Sequence, residues 1–137
     1  MSPNVGYSGT PLAKKLDYRE GARVFVWDGP SHYKDLLDVI PSGVRFAKGL
    51  DSDVDLVHVF VTARSMLERA LKTLRGTLRT DAIIWVSWPK KASRVRTDVT
   101  EDVIRDVALP MGFVDIKVCA VDEVWSGLKL VVRKSER

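Results

Sequence analysis

Apolar positions along the chain follow three different patterns. Arg23–Trp27 (RVFVW), Leu56–Val61 (LVHVFV) and Ala82–Trp88 (AIIWVSW) are nearly continuous β-branched and aromatic runs, the pattern of strands covered on both faces. Tyr33, Leu36, Leu37 and Ile40 follow the helical period until Pro41, and Leu67, Leu71, Leu74 and Leu78 make a second stripe within Ser65–Arg79. A third helix carries Val103, Ile104, Val107 and Ala108 and ends near Gly112; Asp98 with Glu101 has the spacing of a capping box, and Thr100 is an alternative cap. In the last quarter, Val114, Ile116 and Val118, then Leu128, Leu130 and Val132, alternate with other residues, which predicts antiparallel strands with one wet face. Val44–Ala47 is a weak strand, and Pro11 can open a short helix through Leu16.

These elements sum to an α/β fold: a three-layer, Rossmann-like, mostly parallel sheet with helices on its faces and an antiparallel hairpin at the end. The length of 137 residues suits one domain. Residues 1–22 are expected to be a lead-in segment, and 23–137 the single α/β domain. One cysteine, Cys119, leaves no internal disulfide framework and no Cys-based zinc site, and no metal is expected. No apolar run approaches the ~20 residues that cross a bilayer, and the polar start MSPNVGYSGTP is unlike a signal peptide. The expected location is therefore the cytoplasm, with no membrane partner.

The order of elements, ending in a hairpin, resembles a shortened class I S-adenosylmethionine (SAM) methyltransferase. Residues 77–85 (TLRTDAIIW) stand where such enzymes place a helix, a tight turn and the next strand. Three further segments, Gly6–Leu16, Val86–Val107 and Gly112–Val131, resemble a family of small uncharacterised bacterial proteins, domain of unknown function 3052. That family carries no established activity to transfer. The methyltransferase resemblance implies a Gly-rich turn after the first strand and an acid at the end of the second. Here the turn is Trp27-Asp28-Gly29-Pro30, with one glycine, and Lys48-Gly49 follows Val44–Ala47, with Asp51 the next acid. About one strand–helix unit is also missing between Ala47 and Leu56. These departures lean away from catalysis: the expectation is a degenerate, non-catalytic domain without a cofactor, and a minimal SAM-dependent methyltransferase using Asp28 and Gly29 is the alternative.

Charge narrows where a ligand would sit. The net charge is +4, and Lys90, Lys91, Arg94 and Arg96 fall within one stretch that contains no acid. A basic nucleic-acid-associated protein is a further alternative, although no aromatic ladder interleaves the cations. Ligands of open α/β sheets bind at the carboxyl ends of the strands. Asp28 could meet a ligand there, or cap a helix that Pro30 opens; Thr62 and Ser65 fit helix caps. Lys90, Lys91 and Ser93, with Arg64 on the neighbouring strand end, suit a small phosphate- or carboxylate-bearing, nucleotide-like ligand or a protein partner. Trp88 could stack on a ring or shield the core edge. Tyr7 and Trp125 are the other aromatics of the resembling segments, and packing is the favoured role of Trp125. Glu101 suits a helix first turn, His58 a satisfied core position, His32 a helix start on the surface, and Cys119 inert packing. An exposed edge strand would allow a homodimer.

Overall fold

Every residue of β3 (Leu56–Phe60) is buried, because helices cover both faces of this strand. The computed structural model describes residues 10–137; Gly6–Gly9, including Tyr7, lies outside the described residues. In chain order the elements are α1 (Leu12–Lys15), β1 (Arg23–Trp27), α2 (Tyr33–Leu37), β2 (Arg45–Phe46), β3, α3 (Arg64–Thr77), β4 (Ile83–Pro89), α4 (Glu101–Ala108), β5 (Phe113–Ala120) and β6 (Trp125–Val132). They form one sheet of order β2-β1-β3-β4-β6-β5. β2, β1, β3 and β4 run parallel, and β6 is antiparallel to both β4 and β5.

Two apolar layers flank the sheet. On one side Val57, Val59 and Val61 alternate off β3 against Leu67, Leu71 and Leu74 of α3 and Ile104 and Val107 of α4. Complete burial of each such leucine contributes about 2 kcal/mol. On the other side Leu56, Phe60 and Trp85 pack on Leu12, Leu16, Tyr33 and Leu37. Leu12, Ala13, Leu16, Tyr18 and Ala22, within the segment before β1, thus supply core. The Trp85 Nε1 donates to the Leu16 carbonyl at 2.8 Å, and the Asp17 carboxylate receives Lys129 Nζ at 2.8 Å, fastening α1 across β4 and β6.

The missing strand–helix unit is visible as a crossover without regular structure. Residues 47–55 join β2 to β3, where parallel strands normally need about a dozen residues or more; the two-residue β2 makes the short path feasible. Val54 plugs that segment into the α3-side core.

The caps differ from the sequence expectation. α2 begins at Tyr33, with His32 as a cap that makes no side-chain bond, so Asp28 caps nothing and Pro30 precedes the helix. Ala63 is the N-cap of α3, so neither Thr62 nor Ser65 serves. The Asp98 carboxylate instead accepts from Arg64 N at 2.7 Å, capping α3 from across the sheet end. α4 is capped by Thr100, the second of the two caps the sequence offered: its hydroxyl accepts from Val103 N at 3.2 Å, in place of an Asp98–Glu101 box.

A β-bulge at Ile116 breaks the predicted alternation of β5. Asp115 therefore meets Arg105 of α4 at 2.9 Å, whereas Lys117 turns to the opposite face and pairs with Asp17 at 3.2 Å. Ile116 and Val118 are left exposed on the outer strand. The bulge and the exposed lysine blunt this edge against pairing with another chain.

Candidate functional site

β1 is flanked by β2 on one side and β3 on the other, so the chain reverses its direction of growth between the carboxyl ends of β1 and β3. Such a switch point is where open α/β sheets leave a crevice. Here aromatic side chains occupy it. The Phe60 ring stacks on His58 at 4.3 Å and meets the edges of Tyr33 at 5.8 Å and Trp125 at 5.0 Å. Trp125 begins β6, two strands away, and reaches Phe60 over Ser87. Gly127, two residues on, packs closely on β4: a Cβ there would lie 3.3 Å from Trp85 Cε3 and 3.4 Å from Ser87 Oγ. The favoured packing role of Trp125 is the one the structure has.

Asp28 and Gly29 stand at the rim. Asp28 is exposed with φ +57°, a left-handed conformation that costs on the order of 1 kcal/mol for a residue other than glycine. A Cβ on Gly29 would lie 2.5 Å from Val26 Cγ1 and 3.4 Å from the Phe60 ring. The glycine therefore lets the turn pack closely on Val26 and Phe60. The turn carries one glycine where the methyltransferase resemblance implied a Gly-rich turn.

Below the crevice runs a buried polar chain that periodicity did not reveal. Tyr18 and Tyr33 share a hydroxyl–hydroxyl bond of 2.7 Å, Tyr33 Oη lies 2.8 Å from His58 Nδ1, and His58 Nε2 lies 2.7 Å from Ser87 Oγ. His58 and Ser87 are fully buried. Burial alone pushes the His58 pKa down to about 3, so the ring is neutral, and burial likewise drives both tyrosines above their usual range. With Ser87 sealed from solvent, this arrangement satisfies polar groups in the core, as expected of His58.

The second feature at the carboxyl ends is the loop after β4. Lys90 N donates to the Val124 carbonyl at 2.7 Å, anchoring the loop to the β5–β6 turn. Thr97 Oγ1 donates to the Thr62 carbonyl at 2.6 Å, anchoring its far end to the end of β3. Between these anchors, Ser93 Oγ donates to the Lys90 carbonyl at 2.6 Å and accepts from Val95 N at 3.2 Å. Ser93 thus shapes the loop rather than offering a free hydroxyl. Arg94 adopts φ +62°. Lys91, Arg94 and Arg96 are exposed and Lys90 is half-buried, and among the described residues none of the four makes an ion pair.

The remaining candidates are otherwise engaged. Trp88 is only 9% exposed and belongs to the α3–α4 core, so it shields the core edge and offers no ring face. Arg64 Nε is 3.1 Å from Glu68, so its guanidinium is already paired. Glu101 is bonded to Arg105. His32 Nε2 lies 3.9 Å from the Asp122 carboxylate, which itself holds the amides of Val124 and Trp125 at 2.8 Å. Cys119 is half-buried, and burial pushes its thiol up, as for an inert packing residue. Among the described residues no group of His, Cys, Asp and Glu could hold a metal ion, and no helix is long and apolar enough to cross a membrane. A separate shallow groove of about 560 Å³ lies between α3 and α4, where Arg69 and Lys72 face Pro110 and Met111.

Comparison with solved structures matches this architecture. A SAM-dependent methyltransferase from Aquifex aeolicus superposes with a TM-score of 0.66 at 14% identity, covering 88% of this chain and 87% of that one. The ribosomal protein L11 methylase of Lactobacillus delbrueckii gives 0.53 at 12% identity, over 88% and 74%. Fibrillarin from Aeropyrum pernix, in complex with SAM, gives 0.54 at 16% identity, over 85% and 69%. The fold is that of SAM-dependent methyltransferases. At these identities the likeness shows the fold alone. No protein-family model and no curated protein sequence matches the chain, so the narrower likeness to domain of unknown function 3052 gains no support from sequence comparison.

Proposed function

We propose that this methyltransferase-fold domain has given up methyl transfer and binds a small anionic, phosphate-bearing ligand at the loop after β4, through Lys90, Lys91, Arg94 and Arg96. The observation that carries the reading is where the charge resides. Lys90, Lys91, Arg94 and Arg96 fall in one loop with no acid among them, at the end of the sheet where ligands of this architecture bind. The loop is also held by Ser93 and by two anchors, and Arg94 sits in a disfavoured backbone region. Crowded like charge and backbone strain both cost stability, and an incoming anion offsets the first.

Calorimetric titration with pyrophosphate, and separately with SAM and S-adenosylhomocysteine, tests this. Pyrophosphate should bind, and replacing both Lys90 and Lys91 by Ala should weaken it about tenfold or more, since two charge-assisted contacts are lost. The melting temperature should hold, because surface substitutions rarely exceed about 0.5 kcal/mol. SAM binding that is lost in Asp28→Ala would instead establish the minimal methyltransferase reading, which the shared fold favours.

A further inference from the structure

We infer that the ligand of this loop is an oligophosphate chain of about four negative charges, recognised by charge and length and not by a base or sugar; this rests on the anion-binding reading above. Lys90, Lys91, Arg94 and Arg96 lie within one short loop without an intervening acid. Glu123, in the adjoining turn, is exposed and makes no ion pair with them among the described residues. A single phosphoryl group would leave most of this charge unanswered, whereas a triphosphate-length chain matches it.

The neighbouring side chains argue against recognition of a ring. A stacking contact needs an open aromatic face. Trp88, at the end of the strand that leads into this loop, is buried against α3 and α4. The Ser93 hydroxyl is spent within the loop, and the Arg64 guanidinium is taken by Glu68. Lys91, Arg94 and Arg96 are exposed and Lys90 is half-buried; their ammonium and guanidinium groups are donors without an acceptor, which fit phosphoryl oxygens.

The test is calorimetry of the full chain at constant ionic strength with orthophosphate, pyrophosphate, tripolyphosphate, ATP and AMP. Affinity should rise about threefold to fivefold with each added phosphoryl group, the increment of one exposed ion pair. ATP should match tripolyphosphate within about twofold. In the variant lacking the Lys90 and Lys91 ammoniums (both to Ala) the gradient should flatten while the melting temperature holds. Equal affinity for orthophosphate and tripolyphosphate would overturn the oligophosphate inference and leave the anion-binding reading standing. AMP binding as tightly as ATP would overturn it in favour of base recognition. Single-stranded RNA binding whose salt dependence reports many more than four released counterions would overturn it in favour of a nucleic acid. No heat with any anion, at unchanged fold, would overturn both readings.

Discussion

Lowering the pH from 7.5 to 5 should cost this protein about 2 kcal/mol through His58 alone. The ring is fully buried between the Tyr33 and Ser87 hydroxyls, and burial brings its pKa from 6.5 down to about 3. Below pH 6.5 the unfolded chain therefore binds a proton that the folded chain refuses, so stability falls as pH falls, by about 1.4 kcal/mol per unit, until the folded pKa is reached. Asp17, Asp55 and Asp115 act in a lower window. Burial raises Asp17, but Lys129 and Lys117 more than offset it. Burial raises Asp55, but the Arg23 amide and Arg79 prevail; Arg105 directly lowers Asp115. All three lie below 3.8, so their stabilisation is lost only under about pH 4. The interval from pH 7.5 to 5 is left to His58 among the groups with shifted pKa values. Urea unfolding at half-unit steps across that interval measures the slope. In His58→Gln, which keeps an amide donor and acceptor but cannot titrate, the protein should be less stable by about 1–3 kcal/mol and nearly flat with pH. A slope that survives in His58→Gln, or a flat wild-type profile, would refute the burial of a neutral histidine.

Two further outcomes follow from packing and capping. Gly29→Ala places a methyl against Val26 and the Phe60 ring, where 2.5 Å is too close for any carbon, and should cost about 1–3 kcal/mol in chemical denaturation; wild-type stability would mean that the turn does not pack as described. Asp98→Ala should cost about 1 kcal/mol and accelerate amide hydrogen exchange at the start of α3, whereas Thr100→Ala should do the same at the start of α4; exchange rising in α4 for both variants would reject the long-range cap.

How far the chain could be read in advance depended on the range of the interaction. β3, β4 and α3 were legible because burial on two faces or one face writes itself into local periodicity, and the hairpin followed from the same reasoning; the missing unit before Leu56 showed only against the methyltransferase resemblance. Caps and site residues were less so, since their partners are distant in sequence. Asp98 stands three residues before Glu101, which suggests a local box, yet its carboxylate reaches Arg64 N because Thr97 has already fastened the loop to the end of β3. Trp88 and Trp125 are both aromatic residues at sheet ends, and nothing local distinguishes them. Only the strand order brings Trp125 over Ser87 to Phe60 and turns Trp88 into the α3 side. The Tyr18–Tyr33–His58–Ser87 chain joins four elements or connections and leaves no repeat in the sequence. The basic loop was legible for the opposite reason: net charge is additive along a chain, so a run of cations without acids is visible before folding. Folding could still have neutralised it, as it did Arg64, Arg79, Arg105 and Lys129. Among the described residues it left Lys90, Lys91, Arg94 and Arg96 without an ion pair and held their loop in place at both ends, while packing aromatic side chains into the neighbouring crevice. Of the two features at the carboxyl ends of the sheet, one has its interactions satisfied from within the molecule, and the other does not. The second is where we propose that the ligand binds.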